Sequence, residues 1–196
     1  MSKIIVIEGP DRVGKATQSK LLCEYLWQCG KKAKVVDVPI HDKLTYNTIY
    51  WMLEKGHAKN FPRVFQFTQF LNRWLFQTKL MSDLDHEYDF LIFDRWSLST
   101  TIYGKASGVD DQFVDYFYKK LRKPDFTLVL LGAPHKHEAE DVYEKDSKLQ
   151  EDVRKLYADW VNKHPKEAHI VASDRPKESV FTEIIVVLKT TRNIPS

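Results

Sequence analysis

Gly9-Pro10-Asp11-Arg12-Val13-Gly14-Lys15 stands directly after a short β-branched run, Ile4 to Ile7, and directly before a stretch of helical spacing that carries Leu21, Leu22, Tyr25 and Leu26 on one face. Three specified residues in seven recur by chance in about one chain in twenty, so the spacing alone decides little. Its position decides more. A glycine-rich turn between a buried strand and a helix N-terminus presents successive backbone N–H groups to an anion, the glycines allow close approach, and the Lys15 ammonium can bridge neighbouring phosphates. The segment predicts a strand, loop and helix that bind the phosphates of a nucleotide.

The rest of the chain supplies the alternation such a unit needs. Residues 33–38 read as a second strand, with Gly30 at the preceding helix stop and Pro39 closing the strand. Helical spacing covers 46–55 and 61–81, the second unusually dense in aromatic residues: Phe61, Phe65, Phe67, Phe70, Trp74 and Phe76. Residues 89–93 and 126–131 are apolar runs of the kind found in strands covered on both faces. Helices are predicted at 111–121, 148–162 and 176–188, with a fifth strand at Ile170-Val171. The expectation is one α/β domain over 1–196, a three-layer sandwich on a five-stranded parallel sheet with right-handed crossovers.

Composition narrows the partners. Thirty lysines and arginines against 27 acidic residues leave a net charge of +3, too small a bias to announce a nucleic acid or a membrane surface, so any anion site must be local. No run approaches the roughly 18 apolar residues of a membrane span, and the N-terminal apolar run is too short for a signal peptide. Cys23 and Cys29 fall within one predicted helix at a spacing that points them apart, so no disulfide is expected. A cytoplasmic protein is expected, in the host cytoplasm if the chain is viral.

The phosphate loop departs from the full motif at one place: Ala16 stands where a serine or threonine hydroxyl usually meets Mg2+, and Thr17 comes one residue late. Mg2+ keeps much of its water, so it can be held through water and nucleotide oxygens instead. The GKATQ run resembles the GKGTQ of adenylate kinases, which lack that hydroxyl too.

Three segments in order, GPDRVGKATQ, QFLNRW (69–74) and DRWSLSTTIYG (94–104), resemble the thymidylate kinase family, the P-loop nucleoside monophosphate kinases. Pro124-Asp125, Tyr143-Glu144 and Ala172-Ser173 extend the resemblance over nearly the whole chain. It implies transfer of the γ-phosphoryl group of ATP to dTMP with Mg2+, giving dTDP and ADP, in a homodimer formed through the aromatic-rich helix. Gly9, Arg12, Val13, Gly14, Lys15, Ala16 and Thr17 would then hold ATP, with Ala172 and Ser173 beside adenine. Arg12 resembles an in-cis arginine finger of the family's loop-arginine branch; the lid, near 133–147, has Lys136 but no arginine at 132–142. Lys15, Arg12, Asp11 and Arg95 become the catalytic set, and Arg73 and Arg95 the acceptor-phosphate and transfer arginines. Ser99 falls near the base, Tyr103 beneath the sugar, and Tyr143 and Gln150 at the lid edge, although the spacing of that last pair is one residue longer than the family's. Asp94 holds Mg2+ through water, anchors the loop arginine, or caps its strand.

Two departures fall in the acceptor site. Gln69 replaces a phenylalanine that stacks on the base, leaving Phe70 or Phe67 as substitutes, or Gln69 itself to hydrogen-bond a pyrimidine edge. His41 replaces a phosphate-binding arginine, and its charge would fade above about pH 6.5. These changes admit dUMP or a 5-modified deoxyuridylate as acceptor; with Ala16, they also admit a non-catalytic nucleotide-binding protein. A GTPase-like switch lacks its guanine-reading NKxD, and a deoxynucleoside kinase fits two acceptor-phosphate arginines poorly. The compact lid and short loop after Lys105 resemble viral and eukaryotic members.

Overall fold

Strand β1 (Lys3–Glu8) is buried from Ile4 onward because both faces of its sheet are covered. The computed structural model describes residues 1–42, 44–134, 143–191, 193 and 194. Strands β2 (Ala33–Asp37), β3 (Phe90–Asp94), β4 (Phe126–Leu131) and β5 (Ala168–Ala172) join β1 in an all-parallel sheet of order β2-β3-β1-β4-β5. Side chains alternate between its faces. Ile5, Ile7, Ile92, Leu128 and Leu130 pack with Leu22 and Leu26 of α1 (Lys15–Gln28) and with Val180, Ile184 and Leu188 of α9 (Lys177–Thr190). Ile4, Val6, Leu91, Phe93 and Val129 face the other layer.

That second layer holds α2 (Thr45–Glu54), α3 (His57–Asn60), α4 (Pro62–Lys79), α5 (Met81–Glu87), α6 (Ser97–Ala106), α7 (Asp111–Tyr118) and α8 (Ser147–Lys163). Local signals explain several boundaries. Pro62 opens α4, while Asp110 and Asp146 cap α7 and α8 by accepting from Phe113 N at 2.8 Å and Leu149 N at 3.0 Å.

The stretch predicted as one helix over 61–81 divides at Leu80, and the new direction of α5 brings Met81 and Leu84 under the sheet. Helix α6 was not expected from the sequence. Cys29 lies just beyond the end of α1, and both cysteines are free thiols. No described helix is long and apolar enough to cross a membrane. Strand register aligns Ile7 with Asp94, Glu8 with Val129 and Leu131 with Ala172, so the loops after β1, β3, β4 and β5 open at one edge, where ligands of parallel sheets gather.

Candidate active site

At that edge Gly9 turns the chain with φ 141°, and a Cβ there would lie 2.3 Å from the Leu130 carbonyl oxygen, so only glycine fits. Arg12 (φ 60°) and Gly14 (φ 89°) continue the loop in left-handed backbone, and α1 begins at Lys15. Lys15 is buried, and its Nζ donates to the Pro10 carbonyl at 2.6 Å. Burial, helped by the repulsion of Arg95, pulls its pKa down to about 8 against the attraction of Asp11, Asp94 and Glu8. An ammonium held this dry interacts strongly with any phosphate that reaches it.

Two cavities flank the loop. One, of about 230 Å³, lies between the start of α1 and the β5–α9 turn, lined by Val13, Gly14, Thr17, Gln18, Ser173, Arg175, Lys177 and Val180. Ser173 lines it, with a buried hydroxyl that no described group satisfies; Ala172 instead turns its carbonyl to Arg175. Arg175 and Lys177 had no motif to mark them.

The second cavity, of about 220 Å³, runs from Asp11 and Arg95 at the loop to Tyr50, Leu53, Phe65, Gln66 and Gln69 among the helices. Arg73, Ser99, Thr100, Tyr103, Tyr143 and Glu144 also line it. It is charged near the phosphate loop and largely apolar or amide-bearing at the far end. A nucleoside monophosphate fits that polarity with its phosphate toward Lys15 and its base among the helices.

Asp11 stands where the phosphate loop meets the second cavity. Its carboxylate accepts from Arg95 Nη2, from Tyr103 Oη at 2.7 Å and from Gln150 Nε2 at 2.7 Å, while its own N–H donates to Gln150 Oε1 at 3.2 Å. Burial works to raise its pKa, but Arg95, Lys15 and these donors hold it below the usual carboxylate value, so it is an anion at neutral pH. Arg95 also donates to the Gly9 carbonyl at 3.2 Å and holds left-handed backbone at φ 69°, an unfavourable state for a residue with a side chain. Asp94, beside it, accepts no side-chain hydrogen bond among the described residues. Burial raises its pKa, with Asp37 and Glu8 adding to the effect and Lys15 and Arg95 opposing it.

Glu8, which the sequence reading passed over, sits beneath the site. It is fully buried and accepts from Trp96 N (2.8 Å), Ser99 N (3.3 Å), Ser99 Oγ and Tyr157 Oη (2.8 Å). Helix α6 has no capping side chain of its own, and the carboxylate from β1 serves instead. The Trp96 carbonyl in turn accepts from Arg73 Nε at 3.0 Å. The one available sequence signal was an acidic residue ending a strand buried on both faces.

Of the expected acceptor residues, Arg73, Ser99 and Tyr143 line the cavity, and Phe70 and His41 do not. Arg73 is buried and donates through Nη1 to the backbone and side-chain oxygens of Gln69, at 2.9 and 2.7 Å; desolvation lowers its pKa to about 10. Phe70 does not reach the cavity, because adjacent helix positions differ by about 100° and this one turns into a cluster with Phe67 and Phe117. His41 is likewise outside it, exposed and stacked on Tyr46 with centroids 3.9 Å apart. Ser99 lines the cavity, but its hydroxyl is committed to Glu8, leaving the neighbouring Thr100 hydroxyl as a buried group without a partner. Tyr143 packs parallel to Tyr103 at 5.9 Å and edge-on to Phe65. Of the lid expected near 133–147, residues 135–142, Lys136 among them, lie outside the described residues.

A phosphate loop, a cavity of nucleotide size beside it and a carboxylate–arginine pair where the loop meets that cavity define a P-loop kinase of the nucleoside monophosphate type. Residues 7–184 match the profile of the thymidylate kinase family, and the chain belongs to that family. A viral relative, from Invertebrate iridescent virus 6, is 29% identical over 163 residues, covering 79% of this chain and 73% of the viral protein. The thymidylate kinase of Schizosaccharomyces pombe is 28% identical over 160 residues, covering 79% and 75%. In fold, the chain matches the thymidylate kinase of Candida albicans with a TM-score of 0.80 at 24% identity, over 100% of this chain and 96% of the other. That of Ehrlichia chaffeensis gives 0.75 at 22%, over 95% and 98%. The family's members are ATP-dependent kinases that convert dTMP to dTDP.

Proposed function

We propose that this chain passes the γ-phosphoryl group of ATP to dTMP across Asp11, with the donor against the loop and α1 and the acceptor in the α2–α4–α6 cavity. The observation that supports this most directly is the Asp11 carboxylate, part of the phosphate loop yet bonded by Arg95, Tyr103 and Gln150 from the acceptor side. A phosphate oxygen of the acceptor forms the new P–O bond as the bond between the γ-phosphorus and its bridging oxygen breaks, and ADP leaves with that electron pair. Little covalent chemistry falls to the protein, so its work is alignment and charge compensation. Lys15, Arg12 and the loop N–H groups bear on the donor phosphates; Arg95, held by Asp11 and Gly9, bears on the transferring group. Tyr103 lines the cavity with its hydroxyl on Asp11, and its ring would crowd a ribose 2′-hydroxyl.

The residues present fit Mg2+ held mainly by water and nucleotide oxygens. Ala16 offers no ligand, and the described residues contain no cluster of three acidic, histidine or cysteine side chains that could hold a metal; Asp94, a half-buried carboxylate accepting no side-chain hydrogen bond among the described residues, would hold the ion through water. When bound, Mg2+ neutralises charge on the β- and γ-phosphate oxygens. We further propose a homodimer through α4 and its N-cap, which expose Phe61, Val64, Phe67 and Trp74, and a cytoplasmic location, consistent with two free thiols.

The test is ADP release with ATP and Mg2+, run in parallel with dTMP, dUMP, 5-hydroxymethyl-dUMP, dCMP, dGMP and dAMP. Turnover with dTMP is expected. Silence with every acceptor would overturn the kinase reading in favour of a nucleotide-binding protein, and turnover confined to another pyrimidine would move the acceptor assignment.

A further inference from the structure

Two amide side chains of α4, Gln66 and Gln69, line the acceptor cavity. Gln66 is only 2% exposed, and its Nε2 makes no hydrogen bond among the described residues.

Gln69 differs from Gln66 in a way that fixes a direction. Its Oε1 accepts from Arg73 Nη1 at 2.7 Å. A guanidinium has donors and no acceptor, so the amide cannot turn around, and Nε2 is the group left to face a ligand. No such partner holds Gln66, whose amide can present either its oxygen or its nitrogen.

Resting on the acceptor assignment above, we propose that Gln69, locked by Arg73, selects the acceptor base by offering donors only, while Gln66 adapts to whatever lies beside it. Donors at this end accept a pyrimidine with a 4-oxo group. A 4-amino group would bring N–H against N–H, and Gln69 has no second orientation to offer. The unlocked Gln66 can meet N3–H of an oxo-pyrimidine with its oxygen, or unprotonated N3 of an amino-pyrimidine with its nitrogen, and so contributes affinity without choosing.

The pair dUMP and dCMP isolates this chemistry, since the two differ only at C4 and in the N3 proton. The measurement is kcat/KM for each, in the parent and in Gln69→Leu, Gln69→Glu and Gln66→Leu. Gln69→Leu should lower the dUMP:dCMP ratio at least about tenfold. Gln69→Glu, which still accepts from Arg73 but presents an acceptor to the base, should move the ratio further toward dCMP. Gln66→Leu should reduce kcat/KM for both substrates while leaving the ratio within about threefold. An unchanged ratio in both Gln69 variants, with turnover retained, would overturn the proposal and leave the kinase assignment standing. A parent inactive with every acceptor would instead remove the kinase assignment, and this inference with it.

Discussion

The two cavities are built in opposite ways. The donor side is largely one contiguous segment, residues 9–17, whose conformation follows from glycines, a helix N-terminus and the strand before it. The acceptor side draws residues from the phosphate loop, α2, α4, α6 and the segment around Tyr143, and Asp11, Arg95, Tyr103 and Ser99 in it are oriented by residues distant in sequence. A local motif can therefore identify chemistry, whereas selectivity resides in long-range contacts that leave faint sequence signals.

The largest effect should come from the donor side. Lys15→Ala is expected to lower kcat by about a thousandfold in the ADP-release assay, and retained turnover would remove Lys15 from the chemistry. The same variant should unfold no more easily than the parent at neutral pH. An unfolded lysine keeps its proton to about pH 10.5 and the buried one only to about 8, so burying the charged form costs up to about 3 kcal/mol below pH 8. Between those values the unfolded chain binds more protons, and this group's contribution to stability becomes more favourable as pH rises. Binding of ATP to the free enzyme should respond oppositely, weakening above about pH 8 as the ammonium is lost; a flat titration from pH 7 to 9.5 would contradict it.

Next in size is the support that both cavities share. Glu8→Ala leaves the N–H groups of Trp96 and Ser99 and the Tyr157 hydroxyl without their acceptor, and urea denaturation should show a loss of about 3 kcal/mol. An unchanged midpoint would mean that water replaces the carboxylate without cost. Arg73→Ala should raise KM for dTMP ten- to a hundredfold with KM for ATP nearly constant; equal rises in both would dissolve the separation between the two sides. His41→Ala should change neither constant by more than about twofold, because its ring lies against Tyr46 outside the cavity. A large rise in KM for dTMP would return His41 to the acceptor site.

Much of the fold was legible because its strands are short apolar runs between polar boundaries, and the phosphate loop because its residues are consecutive. Helix α6 was not: Ser97 to Gly104 are all buried, so no polar face alternates with an apolar one, and its first turn is held by a carboxylate 88 residues upstream. Phe70 was a natural substitute for a missing aromatic, but one residue along a helix turns a side chain from cavity to core. Gln66 and Thr100 belong to no motif, and only their burial without partners draws attention to them. Gln150, doubted on spacing, meets Asp11 through both ends of its amide because the Asp146 cap starts α8 in the right place.

The Glu8 carboxylate also bears on how such a chain can change over generations. One anion serves the backbone of Trp96, the backbone and hydroxyl of Ser99 and the phenol of Tyr157, so a viable lineage cannot exchange it for a neutral apolar residue without altering Ser99 and Tyr157 as well. Substitutions at these positions should be inherited as a set. The acceptor glutamines, attached to fewer neighbours, can drift singly, which leaves substrate preference free to diverge while the frame that supports phosphoryl transfer stays fixed.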